Sequence, residues 1–96
     1  MILRNFLNRL LWDEDYKKLR GNFAITYIHR GAPDDEKTIN ALEIKAVLAT
    51  SFEIYSEDFQ RIVKIPFHRI KYIVDLQNST VIYRKRLNVQ DLEENK

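Results

Sequence analysis

Ile2, Leu3, Phe6, Leu7, Leu10 and Leu11 recur at i, i+1, i+4, i+5, i+8 and i+9, with Arg4, Asn5, Asn8 and Arg9 between them. Only an α-helix gathers such a set onto one side, so the stripe predicts an amphipathic helix over about residues 2–11 that must lie on an apolar surface. Trp12, just beyond the stripe, is expected to anchor in the same core.

Stretches of period two supply that surface. Phe23, Ile25, Tyr27 and His29 fall on one face of a strand, and Ala24, Thr26, Ile28 and Arg30 on the other. "GAPDDE" then breaks the strand into a loop. "TINALEIKAVLA" carries both spacings and reads as a short helical turn near Asn40–Glu43 leading into a strand. Phe52 and Ile54 alternate with Glu53 and Tyr55, "SED" turns the chain, and residues 60–65 form a further strand stopped at Pro66. Ile70–Leu76 and Thr80–Arg86 read as a hairpin joined through Gln77-Asn78-Ser79.

The expected architecture is α+β: an N-terminal amphipathic helix packed on a curved, mostly antiparallel sheet, or small barrel, of about five or six strands. Residues 1–86 are expected to form a single compact domain, since two glycines and two prolines leave little material for linkers. The charged tail at 87–96 is expected to fray.

Composition removes several chemistries. Without cysteine there is no disulfide framework, no thiolate zinc site and no cysteine nucleophile. Two histidines are a poor basis for a metal site, and no Walker loop, dinucleotide fingerprint or Gly-x-Ser-x-Gly elbow occurs, so neither metal nor cofactor is expected. No apolar run approaches the ~20 residues of a membrane span. Polar residues interrupt the apolar start and no small-residue cleavage site follows, so a cytoplasmic protein is expected.

The net charge of +2 conceals a segregation. Between Arg61 and Arg86 stand seven basic residues (Arg61, Lys64, Arg69, Lys71, Arg84, Lys85 and Arg86) against one acid, Asp75. Such a segment can attract phosphate or nucleic acid, or can guard exposed strand edges. Both histidines, moreover, precede arginine: His29-Arg30 in "YIHRGAP" and His68-Arg69 in "IPFHRI". Carried through the strand phases, His29 shares a face with Tyr27, and His68 shares one with Ile70, Tyr72 and Val74 if the strand resumes after Pro66. The pairs are then either strand-end histidines beside exposed arginines, or two halves of one anion site. In the second case arginine supplies a planar fork of donors and histidine a further donor. Gly31, permitting positive φ, would let the loop amides face the anion.

"LNRLLWD", "YIHRGAP" and "IPFHRI" followed by a basic hairpin resemble, in this order, a small, mostly archaeal family of uncharacterised proteins described as the RNA cyclic-group-end recognition domain. The resemblance spans about residues 1–86. It implies binding of RNA ends, 2′,3′-cyclic phosphate termini among them. The motif positions it carries over are His29, Arg30 and Gly31, then Pro66, His68, Arg69 and Ile70, of which Pro66 and Ile70 look structural. Some eukaryotic relatives join this domain to two-histidine phosphoesterases, but the His-x-Thr/Ser motifs of that enzyme are missing here.

The expected function is therefore an RNA-binding module for RNA ends. Its phosphate-binding set is His29, Arg30, Gly31, His68 and Arg69, with Lys71, Arg84 and Arg86 touching the nearby backbone. Two alternatives stand beside it. One is a phosphoesterase-like enzyme using His29 and His68 as acid and base on cyclic phosphates. The other is a protein–protein adaptor with no nucleic-acid site, in which the His-Arg pairs are structural.

Overall fold

The computed structural model describes residues 2–85, so Arg86 and the tail at 87–96 lie outside the described residues. The opening stripe forms helix α1 (Leu3–Trp12), which buries Leu7, Leu10 and Leu11. Trp12 does not join them: it is 75% exposed. At about 100° per residue it sits roughly 140° around the helix from Leu7, on the side facing away from the core. Ile2, in extended conformation just before α1, is exposed as well. Asp13 then accepts from the backbone N–H groups of Asp15 and Tyr16 and so starts the single turn α2 (Glu14–Lys17).

Seven strands follow: β1 (Phe23–Ile28), β2 (Glu36–Asn40), β3 (Ile44–Val47), β4 (Ser51–Ser56), β5 (Arg61–Pro66), β6 (Ile70–Asp75) and β7 (Thr80–Arg84). They form two antiparallel sheets, ordered β2-β1-β6-β7 and β3-β4-β5. This corrects the expected single curved sheet or small barrel of five or six strands: among the described residues no barrel closes. The strand missed by periodicity is β2, whose only buried residue is Ile39. It is recruited by pairing with β1, where Thr26 stands opposite Thr38 and their hydroxyls lie 2.7 Å apart.

The chain crosses between sheets twice, each time through a three-residue 3-10 turn: Ala41–Glu43 from β2 to β3, and Phe67–Arg69 from β5 to β6. The first is held by a reciprocal cap. Asn40 Oδ1 accepts from Leu42 N–H while Glu43 Oε2 accepts from Asn40 N–H. Arg20 fastens it further, donating to the carbonyls of Ala41, Leu42 and Ile44. The helical turn expected near Asn40–Glu43 is therefore present, but its work is to move the chain from one sheet to the other.

Ile25, Ile39, Ile70 and Ile73 of the first sheet are buried, as are Ile44, Phe52, Ile54 and Ile65 of the second and the leucines of α1. One irregularity shapes the core near the site. Tyr72 pairs with Thr26 but Ile70 pairs with Tyr27, so Lys71 is an extra residue on β6. This bulge reverses the alternation and turns both Ile70 and Ile73 inward.

Candidate functional site

The first His-Arg pair stands where β1 ends. His29 N–H donates to Asp35 O at 2.8 Å, and the chain between them closes on itself through Ala32 N–H to His29 O and Asp35 N–H to Ala32 O. Gly31 has φ +94°, a conformation that excludes most side chains. Its N–H donates to the Asp35 carboxylate at 3.2 Å. The left-handed glycine anticipated from sequence is thus present, but its amide faces an acid of the same loop. His29 is half-buried, its ring edge-on to Tyr27 with centroids 6.2 Å apart.

The second pair lies in the 3-10 turn between β5 and β6. Its first residue, Phe67, stacks on the buried Phe52 ring with centroids 6.3 Å apart, and its N–H donates to Thr50 O. With Phe67 directed into the core, His68 and Arg69 are exposed. The strand phase that would have set His68 beside Ile70, Tyr72 and Val74 is absent, because the turn and the bulge at Lys71 each interrupt it.

One residue from each pair meets in a single hollow. A cavity of about 150 Å³ is lined by both His29 and Arg69, together with Tyr27, Lys37, Ser56, Phe59 and Lys64. A more open depression of about 450 Å³ shares His29 and Lys37 and adds Arg30, Gly31 and Asp58. His68 lines neither, so the two histidines do not face each other across the hollow. The remaining basic residues are engaged elsewhere. Lys71 forms an ion pair with Glu36, the Arg84 guanidinium lies 5.6 Å from the Tyr72 ring centroid, and Lys85 Nζ donates to His68 O. Arg86 lies outside the described residues.

The hollow is cationic. Lys37, Lys64 and Arg69 line it; Glu53 stands opposite Lys64 across β4 and β5, and Asp58 lies 3.7 Å from Lys37 Nζ. That pair is solvent-exposed and correspondingly weak, so an incoming anion competes with it easily. Burial raises the pKa of the Tyr27 phenol above its ordinary value, and the Glu43 and Asp58 carboxylates push it the same way. Tyr27 therefore stays a neutral hydrogen-bond donor at any physiological pH.

Sequence reasoning does not mark Lys37, Ser56 and Phe59, which also line the hollow, and places Lys64 only within the basic segment. Lys37 lies on the unrecognised strand β2, and Ser56 and Phe59 belong to a hairpin that only tertiary packing brings to His29. Among the described residues no group of three or more His, Cys, Asp or Glu side chains is arranged to hold a metal ion, and no helix is long and apolar enough to cross a membrane.

Comparison with known proteins gives a consistent answer. The UPF0248 protein of Methanococcus maripaludis strain C5 is 40% identical over 85 residues, covering 88% of this chain and 100% of the relative. The strain C7 protein is 39% identical with the same coverage. The UPF0248 protein of Methanocaldococcus jannaschii is 31% identical over 85 residues, 88% of this chain and 95% of its own. No solved structure matches the chain significantly. The family model for the MJ1316 RNA cyclic group end recognition domain matches residues 1–85, and with these relatives it establishes that the chain belongs to that family.

Proposed function

We propose that the chain is an RNA-binding module for RNA ends, 2′,3′-cyclic phosphate termini among them, with the terminal phosphate seated in the hollow lined by His29 and Arg69. One observation carries this: residues of two separate His-Arg motifs line the same small hollow, and the other charged groups lining it, Lys37 and Lys64, are cations. The description of the family points to the same ligand class.

A cyclic phosphate presents two free oxygens that share one negative charge. The planar fork of Arg69 suits such a pair, donating two parallel hydrogen bonds. His29 and the neutral Tyr27 phenol supply further donors, while Lys37 and Lys64 contribute charge without fixed direction. Arg30, in the adjoining depression, is available to the preceding phosphate. A general acid and base acting from two sides is not part of this proposal, because His68 lines neither cavity.

Fluorescence anisotropy with single-stranded RNAs ending in 2′,3′-cyclic phosphate, 3′-phosphate or hydroxyl tests the proposal. The phosphate-bearing ends should bind more tightly than the hydroxyl end. With two phosphates contacted, the terminal one and the preceding one, log affinity should fall against log salt with a slope of about −1.4. Equal affinity for all three ends would overturn it.

A further inference from the structure

We infer that Phe59 is a stacking platform for the base of the terminal nucleotide, so that the hollow takes an unpaired nucleotide end and not a phosphate group alone. The inference rests on the proposal that the terminal phosphate occupies the hollow.

Phe59 sits in the four-residue connection between β4 and β5, where nothing in the turn itself calls for an aromatic side chain. It is 60% exposed, an unfavourable state for so large an apolar group. Among the described residues it is the one large exposed apolar side chain that also lines the hollow of His29 and Arg69. Trp12, though more exposed, belongs to α1 and lines neither cavity around His29. Tyr55 and Ile62 stand opposite each other on β4 and β5, but neither lines the hollow.

The turn that carries the ring is held in place. Phe59 N–H donates to Ser56 Oγ at 3.3 Å, and Ser56 is buried and lines the hollow as well. The Arg61 guanidinium lies over the Phe59 ring, 5.7 Å from its centroid, so a cation backs one aromatic face and a base would stack on the other. An exposed ring, an adjacent arginine and a cationic cavity together are what a single-stranded nucleotide requires: a π-face for the base and donors for the phosphate. Because every base has such a face, the platform tolerates any base. It disfavours an end whose base is already stacked within a duplex.

Two single-stranded RNAs carrying a 3′-phosphate, identical except that one has a base and the other an abasic ribose at the terminal position, separate the possibilities. Anisotropy is measured with wild-type protein, Phe59→Ala and Phe59→Trp, each first confirmed as folded by circular dichroism. Phe59→Ala should weaken binding of the base-bearing RNA by about 5- to 150-fold, leave the abasic RNA unchanged, and be rescued by Phe59→Trp. If Phe59→Ala binds the base-bearing RNA as tightly as wild type, or weakens both RNAs alike, the stacking role is overturned while the phosphate site stands. If the wild-type protein binds neither phosphate-bearing RNA better than its hydroxyl-ended counterpart, the phosphate site falls and the stacking role with it.

Discussion

The Phe52 ring stacks on the Phe67 ring, with centroids 6.3 Å apart and planes 11° from parallel. The same Phe52 meets Tyr27 edge to face at 6.4 Å. Tyr27 lies two residues before His29 and Phe67 two residues before Arg69, so one fully buried ring braces both segments that border the hollow. Phe52→Ala should lower the unfolding free energy by about 3–5 kcal/mol, because it leaves a cavity between the two sheets. Urea unfolding followed by far-UV circular dichroism measures the loss. A cost no larger than that of a surface substitution would mean that the ring does not join the segments.

Replacing Arg69 should be the most damaging single change to binding of a phosphate end. A hydrogen bond to a charged group contributes about 1.5–3 kcal/mol, so Arg69→Ala is expected to weaken binding by roughly 10- to 150-fold. Arg69→Lys should recover only part of it, since lysine keeps the charge and loses the fork. His68→Ala, at an exposed position outside the hollow, should leave affinity nearly unchanged. Titration calorimetry on the three variants provides the comparison.

Asp58 is expected to act in the opposite direction. Its carboxylate lies 3.7 Å from Lys37 Nζ and competes with an arriving phosphate for that cation. Asp58→Asn should therefore tighten binding by about 1.5- to 5-fold at low salt, in line with the ~0.2–1 kcal/mol of an exposed ion pair. The gain should shrink as salt screens the pair. A fall in affinity at low salt would show that Asp58 supports the site.

Acid sensitivity should trace in part to Asp75. Asn22 Nδ2 donates to its carboxylate at 2.7 Å, and the side chain and backbone N–H of Asn78 add two more bonds. These bonds hold its pKa below the ordinary carboxylate value, the Asn22 bond most strongly. Since the folded-state pKa is the lower one, the stabilisation is complete above the unfolded value of ~3.9 and is lost as pH falls through the folded value. Asp75→Asn should flatten the acid limb of the stability curve as pH falls below about 5 in urea titrations. An unchanged acid limb would assign that sensitivity to other carboxylates.

The legible parts of this molecule are those in which a repeat in the chain directly produces a face in space. The stripe from Leu3 to Leu11 became α1, the alternation from Phe23 became β1, and the helical turn expected near Asn40–Glu43 became the turn at Ala41–Glu43. Errors arose where a local period was interrupted or diluted. Strand β2 has a single buried residue, and the 3-10 turn with the bulge at Lys71 broke the phase that had been carried through His68. The site divides in the same way. His29 and Arg69 were marked by their repeated dipeptide, whereas Lys37, Ser56 and Phe59 carried no mark, because nothing near them in the chain shows which cavity they will line.

By itself, then, the sequence determined that this protein has an N-terminal amphipathic helix, a run of mostly antiparallel strands and two histidine–arginine pairs of a recognisable family. The spacing of neighbouring residues is enough to specify each of these. Tertiary structure decided that the strands divide into two sheets, that His29 and Arg69 share a hollow, and that His68 is left out of it. Those outcomes depend on which distant segments pack together, and here a buried ring at Phe52 and two three-residue crossings made the choice.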